Sequence, residues 1–275
     1  MRNWEFPGMR LSPGNCSFSS EGCHVINGDS YIKGDLLEYE IVFNGPTMSA
    51  KVNLKNTIGP WRPKCGQILF GDSEEYSFNW LPSVPEGEAT AEIQVEGKTL
   101  NLKGTGYHDH NWGNISMFKL MHHWYWGRAK IGVYKVISSW ITAGRKYGYN
   151  EFDIFMLAKG NEIIGDNSNH TLKFSCQDEY LDNYTGKLVY NKIIYNYIAT
   201  SGDEYKLIYD RKKDIAREFF YESLPKSLRP LAKKLGFKGS YQRFEGKVTL
   251  ERARDGIVLE TVTEDSAVWE LMYFG

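Results

Sequence analysis

The chain has 275 residues, with 33 Lys and Arg against 34 Asp and Glu, so its formal net charge is −1. This balance excludes a general electrostatic attraction to nucleic acid, and we expect no nucleic-acid partner. The length allows one large β domain or two small ones, and an aromatic fraction of 15% favours sheet over helix.

The N-terminal segment, MRNWEFPGMRLSPGN, lacks the apolar run of a signal peptide. No stretch of ~18 consecutive apolar residues is present that could span a bilayer. The four cysteines, Cys16, Cys23, Cys65 and Cys176, form no CxxC pair, and we expect them to be reduced. These features together predict a cytoplasmic protein.

Short β-like segments separated by Gly, Asn or Asp follow one another along most of the chain. Apolar residues alternate from Ala91 to Val95 and again at Leu100 and Leu102, on either side of an EGK turn, which predicts a β-hairpin. Further segments of this kind lie at 124–144, 151–166, 171–180, 187–200, 204–210, 241–265 and 268–275. Such regular spacing is typical of antiparallel barrels or sandwiches.

One segment, ESLPKSLRPLAKKLGF at 222–237, has a different pattern. Its apolar residues recur at helical intervals, and Gly236 stands where a helix would end. We interpret it as a short helix that plugs or flanks a barrel. A helix that covers a site or faces a membrane is the alternative, so transient membrane contact stays open.

The motif GTGYHDHNWG at 104–113 packs polar and aromatic residues between three glycines. It is not a dinucleotide fingerprint, because the third glycine is missing and no helical pattern follows. In an extended strand, successive side chains point to opposite faces of the sheet. One face would then carry Tyr107, Asp109 and Asn111, and the other His108, His110 and Trp112.

A metal site is the first candidate chemistry for this region, because His108 and His110 lie close in sequence to His122 and His123. An HxH pair on a strand can present two imidazoles to one ion. No recognised spacing supplies a third ligand, however, and we expect no metal.

Asp109 is the second candidate, as a proton donor. A carboxyl placed among Tyr107, Trp80, Trp112 and Trp124 would be desolvated, and desolvation favours the protonated form of a carboxyl group. Such a group can protonate an alkene or donate a hydrogen bond to a carbonyl, while aromatic faces stabilise developing positive charge. The alternative is a buried polar network that only ties the strand to its neighbours.

GTGYHDHNWG resembles the signature of the hydroxyneurosporene synthase (carotenoid 1,2-hydratase) family, whose lipocalin-like relatives include fungal Diels–Alderases and kievitone hydratase. The resemblance extends to FNWLPSVPEGEATAEIQVEGKTLNLKG (78–104), HHWYWGRAKIGVYKV (122–136), GSYQRFEGKVTLER (239–252) and VWELMYFG (268–275). It implies an all-β fold of two tandem lipocalin-like antiparallel β-barrel domains, to which the sequence pattern adds one short helix in the C-terminal half. We place these domains at 1–118 and 119–275.

The resemblance also implies double-bond chemistry on a hydrophobic polyene, isoprenoid or polyketide-derived substrate, with no organic or metal cofactor. Asp109 matches the acidic residue of the family motif, a general acid, and Tyr107 the tyrosine beside it. Trp80 matches an aromatic residue that lines the pocket. The remaining candidates for substrate binding or support are His108, His110, Asn111, Trp112, Trp124, Trp126 and Arg128.

Three functions remain open at this stage. The favoured one is a cyclase or isomerase of the Diels–Alderase kind, the second a hydratase that adds water to an isoprenoid double bond, and the third a non-catalytic lipid or terpenoid carrier. The motif begins only about a hundred residues into the chain, earlier than in familiar members, so the first barrel is expected to be abbreviated or partly open. The sequence does not indicate the oligomeric state.

Overall fold

The strands of the protein dominate its architecture, and the expected all-β class is confirmed. The computed structural model describes residues 15–63, 66–167, 171–234 and 237–274. The strands in chain order are β1 (Cys16–Phe18), β2 (Cys23–Asn27), β3 (Ser30–Gly34), β4 (Glu38–Asn44), β5 (Met48–Asn56), β6 (Gln67–Phe70), β7 (Tyr76–Val95), β8 (Lys98–Gly113), β9 (Met121–Ile131), β10 (Tyr134–Ala143), β11 (Glu151–Lys159), β12 (Glu162–Asp166), β13 (Lys173–Leu181), β14 (Leu188–Ile198), β15 (Glu204–Phe219), β16 (Ser240–Arg254) and β17 (Ile257–Tyr273).

The described chain divides into two compact units. The first comprises the residues up to Trp61 together with Pro82–Asp109, and the second comprises Arg62–Leu81 together with the residues from His110 onward. Strands β7 and β8 therefore contribute residues to both units. The domain limits at 118 and 119 stay a prediction.

The first sheet has the order β1-β2-β3-β4-β5-β7-β6 within the described residues, and β8 pairs with β7. The hairpin predicted at the EGK turn is confirmed: it joins β7 to β8 through Glu96 and Gly97. Both turn residues have positive φ, 50° and 71°, as a type I′ turn requires. One buried hydrophobic cluster of the first unit contains Tyr39, Leu54 and Val84.

The second unit contains an antiparallel sheet with the order β12-β11-β10-β9-β17-β16-β15-β14-β13 in the described part of the chain. The rings of Phe155 on β11 and Tyr197 on β14 lie 5.0 Å apart, although these strands stand near opposite edges of the sheet. The Tyr197 hydroxyl also donates a hydrogen bond to the backbone oxygen of Asp166 on β12. The sheet therefore curls into a barrel, and its inward side chains form one large aromatic and aliphatic core.

The predicted helix is present as two short helices, α1 (Phe220–Ser223) and α2 (Arg229–Lys234). Helix α1 ends at Ser223, and the next residue, Leu224, has an extended backbone, because Pro225 disfavours helical dihedrals at the residue before it. Leu228 and Leu231 of the predicted apolar face are exposed. The expected stop at Gly236 lies outside the described residues.

Two further sequence expectations concern the cysteines and the membrane. Cys16, Cys23 and Cys176 are free thiols, whereas Cys65 lies outside the described residues. Among the residues that the structure describes, no helix combines the length and the apolar character needed to cross a bilayer.

Candidate functional site

The motif residues lie on β8, and their side chains alternate as predicted. Tyr107 and Asp109 share one face, where the Tyr107 hydroxyl donates a hydrogen bond of 2.9 Å to Oδ2 of Asp109. His108 lies on the other face, with its ring centroid 4.7 Å from that of the buried Tyr39 in an edge-to-face contact. The strand thus separates a polar pair from an aromatic packing contact.

The Tyr107–Asp109 pair is half-buried rather than deeply enclosed. In the observed geometry Asp109 accepts a hydrogen bond from the Tyr107 hydroxyl, so its carboxyl group is held in one orientation by a neighbour two residues away on the same strand. A carboxyl held in this way can donate a hydrogen bond to an oxygen atom of a bound molecule once it carries a proton, while the single phenol proton stays hydrogen-bonded to its other oxygen.

Two of the motif glycines lie where a side chain would not fit. A Cβ on Gly106 would lie 2.6 Å from Cδ1 of Leu54, and a Cβ on Gly113 would clash with the backbone oxygen of Ser77. A Cβ on Gly104 would meet nothing within 4 Å. Gly106 and Gly113 therefore allow β8 to pack closely against Leu54 and Ser77, whereas no atom of the described residues packs against Gly104 in this way.

The other motif side chains belong to the second unit. The rings of His110 and Trp112 stack at 5.3 Å with an interplanar angle of 23°. Trp112 and Asn111 are exposed to solvent. Trp80 is buried, and its backbone N–H donates a hydrogen bond to the backbone oxygen of Gly66.

Strand β9 carries Trp124, Trp126 and Arg128 on one face, while the alternate residues, among them Tyr125 and Ala129, lie in the core of the barrel. The Trp124 ring contacts Phe274 at 4.7 Å and Phe78 at 6.3 Å. Its indole Nε1 is buried, and no hydrogen-bond acceptor is present for it among the described residues. An indole N–H can only donate, so this aromatic cluster offers one unused donor.

The two adjacent histidines at the start of β9 contact each other through their ring nitrogens. Nδ1 of His122 lies 2.8 Å from Nδ1 of His123. Burial, with the neighbouring charges of His122 and Lys187, lowers the pKa of His123 to about 4. Within the residues that the structure describes, no three His, Cys, Asp or Glu side chains converge to hold a metal ion.

Comparison with known proteins assigns the chain to a family. Residues 29–192, which include the whole motif and the start of the barrel, match the sequence model of the family described as Diels-Alderase-like. The chain belongs to the Diels-Alderase-like family.

Two relatives of this Diels-Alderase-like chain are quinolone epoxide rearrangement proteins. The one from Emericella nidulans is 26% identical over 50% of this chain and 38% of its own length. The one from Penicillium thymicola is 28% identical over 54% of this chain and 45% of its own length. The chain thus spans less than half the length of either relative.

The fold is also similar to that of solved members of this structural class. The crystal structure of CghA superposes with a TM-score of 0.59 at 11% identity, covering 91% of this chain and 70% of CghA. At that level of identity the similarity concerns the fold alone. It confirms the lipocalin-like architecture that the sequence resemblance implied.

Sequence reasoning about this Diels-Alderase-like chain missed the aromatic partners of the site. Phe78 lies two residues before Trp80 in the FNW stretch, and Phe274 lies in the terminal MYFG, so both were within segments that carry the resemblance. Their contact with Trp124 joins segments far apart in the chain. Local spacing alone does not reveal such a contact.

Proposed function

We propose that this chain is a cofactor-independent cyclase or isomerase that acts on a hydrophobic polyene, isoprenoid or polyketide-derived substrate in natural-product biosynthesis. Asp109 is the general acid or hydrogen-bond donor, and Tyr107 orients its carboxyl group through the hydrogen bond between them. The hydrogen bond between these two side chains, on the motif strand of a Diels-Alderase-like protein, is the observation that carries the proposal.

The proposed chemistry needs no atoms beyond those of the substrate. When Asp109 carries a proton, its hydrogen bond to a conjugated carbonyl withdraws electrons from the adjacent double bond and lowers the barrier to closing a ring. When the substrate carries an epoxide, the same proton passes to the epoxide oxygen as a C–O bond breaks, and it is returned when the product forms. Both routes give a product with the composition of the substrate.

The names of the relatives support the isomerase class. The two fungal proteins are described as quinolone epoxide rearrangement proteins, and a rearrangement changes connectivity without changing composition. A donor that polarises an oxygen atom is the common requirement of such a rearrangement and of carbonyl-activated cyclisation. We therefore expect an oxygen-bearing unsaturated substrate.

We assign the aromatic side chains to substrate binding. Trp124, with Phe78 and Phe274 beside it, offers apolar rings and one unused indole N–H. The proposal also includes two sets of residues from the sequence analysis. The residues that line the binding site are Trp80, Trp112, Trp126 and Arg128, and those that support the strand are His108, His110 and Asn111.

The test compares wild type with Asp109→Asn by mass spectrometry after incubation with acyclic polyenes and polyene tetramic acids in ¹⁸O-labelled water. We expect an isomer of unchanged mass from wild type, and a turnover at least about 10²-fold lower in the variant, the usual contribution of a general acid. Tyr107→Phe should lower turnover by about tenfold, since it removes one orienting hydrogen bond.

The control is Asp265→Asn, which changes the same functional group at an exposed position and should leave turnover unchanged. A product that carries ¹⁸O would identify a hydratase instead, and unaltered ligand recovered from wild type and variant alike would identify a carrier. Turnover by Asp109→Asn at the wild-type rate would remove Asp109 from the mechanism.

A further inference from the structure

Polar side chains lie together inside one end of the barrel of the second unit. The backbone register places Ser240 on β16 opposite Tyr273 on β17, and Tyr273 opposite His123 on β9. The His123 ring stacks on the Tyr273 ring at 5.1 Å. Gln242 follows two residues after Ser240, so it lies on the same inward face, one step deeper into the barrel.

Two of these side chains have unused hydrogen-bonding atoms. Ser240 is 1% exposed and Gln242 is fully buried. The Ser240 hydroxyl and both side-chain atoms of the Gln242 amide have no hydrogen-bond partner among the described residues. Buried polar groups are nearly always paired in folded proteins, so a group of three unused atoms in one place needs an explanation.

A lysine adds positive charge to the same end of the barrel. Lys187 is only 9% exposed, and its Nζ lies 4.5 Å from the ring centroid of Tyr273. Burial, together with the nearby charge of Lys238, lowers the pKa of Lys187 to about 8. In the part of the chain that the structure describes, no carboxylate forms an ion pair with it.

The groups around Lys187 do not neutralise its charge. The pKa of His123 is lowered to about 4 and that of His122 is also lowered, both chiefly by burial. Burial raises the pKa of Tyr273 to about 12. At neutral pH the histidines and the tyrosine are therefore uncharged, and the lysine carries an uncompensated charge.

We propose that this end of the barrel of the second unit is a binding site for a small organic carboxylate with an apolar chain. The carboxylate pairs with the ammonium group of Lys187 and accepts hydrogen bonds from the Ser240 hydroxyl and the Gln242 amide N–H. The amide oxygen of Gln242 then accepts a hydrogen bond from a water molecule that enters with the ligand.

In this proposal the apolar chain of the ligand lies against the aromatic and aliphatic side chains beside the polar group. Tyr125 and Leu271 are core residues on the strands beside the polar group. The Phe174 ring lies 6.0 Å from that of Tyr125 and stacks on Trp140 at 4.8 Å. The site uses neither Tyr107 nor Asp109, so it goes beyond the catalytic role proposed above.

The experiment measures binding of decanoate, decanol and decylamine to the full chain by isothermal titration calorimetry, below the concentrations at which these compounds form micelles. We expect one decanoate per chain and no saturable binding of decylamine. Lys187→Met should weaken decanoate binding at least about tenfold, and Gln242→Leu about fivefold, because each removes a partner of the carboxylate. Both variants replace a buried polar group with an apolar one of similar size, so both should fold.

Proton linkage provides a second measurement. Because a bound carboxylate favours the ammonium form, decanoate binding at pH 8 should take up as much as about half a proton per site. This uptake, measured from the dependence of the binding enthalpy on the buffer, should be absent in Lys187→Met.

The matched control is Lys159→Met. Lys159 also places its Nζ near a tyrosine ring, 5.5 Å from that of Tyr134, but it is an exposed lysine at the end of β11. The Lys159→Met variant should bind decanoate as wild type does. The proposal is overturned if wild type does not bind decanoate, if decanol binds equally well, or if Lys187→Met keeps the wild-type affinity.

Discussion

At the scale of single residues, the three motif glycines give the most direct test of how β8 is packed. Replacement of Gly106 by Ala forces a methyl group against Leu54, and such overpacking costs about 1–3 kcal/mol of unfolding free energy. Gly113→Ala should cost at least as much, because its neighbour is the backbone oxygen of Ser77, which cannot rotate away. Urea denaturation of the purified variants measures both values.

Gly104→Ala is the matched control for this series. Its Cβ would meet no atom within 4 Å, so the variant should be neutral or more stable by about 0.5 kcal/mol, because alanine restricts the unfolded chain. Equal losses in all three variants would show that the glycines are needed for backbone conformation rather than for close packing.

At the scale of secondary-structure elements, the β7–β8 turn should be open to improvement. Glu96 occupies a position with φ of 50°, where asparagine is tolerated better than other residues with side chains. Glu96→Asn should raise the unfolding free energy by about 0.5 kcal/mol, and Gly97→Ala should lower it by about 1 kcal/mol, since φ is 71° there. Thermal unfolding of both variants checks the signs, and a stabilising Gly97→Ala would contradict the assigned turn type.

The elements that sequence predicted well are those whose signals are local. The EGK turn and the alternation on either side of it lie within a few residues of each other, and the hairpin formed as expected. The helix at 222–237 was predicted from apolar spacing and a glycine at its end, and Pro225 divided it. Pairing of β17 with β9 joins the first and last strands, in chain order, of the second sheet, and no local pattern indicates which strand closes against which.

In the candidate site, too, only the features that depend on neighbouring residues in the sequence were predictable. The shared face of Tyr107 and Asp109 follows from the two-residue period of one strand, and their hydrogen bond agrees with it. The aromatic neighbours of Trp124 and the buried group around Lys187 depend on strands that are distant in sequence. Their positions therefore required the structure.

At the scale of the whole molecule, buried His123 should make the fold sensitive to mild acid. Its pKa is about 4 in the folded chain, against about 6.5 for an unperturbed histidine. The unfolded chain therefore binds a proton more readily between these values, and stability is lost as the pH falls from 6.5 towards 4. Between pH 7 and pH 4.5 this residue should account for a loss of about 2–3 kcal/mol in unfolding free energy.

His123→Phe isolates this contribution, because phenylalanine keeps a ring against Tyr273 but cannot take up a proton. Urea unfolding at pH 7 and at pH 4.5 should show a smaller difference for the variant than for wild type, by about 2 kcal/mol. His24→Gln removes an exposed histidine and should keep the wild-type difference. Lys187 stays protonated between pH 7 and pH 4.5 in wild type and in His123→Phe, so its lowered pKa adds nothing to the pH dependence of stability. An equal pH response in wild type and His123→Phe would mean that His123 does not limit stability in acid.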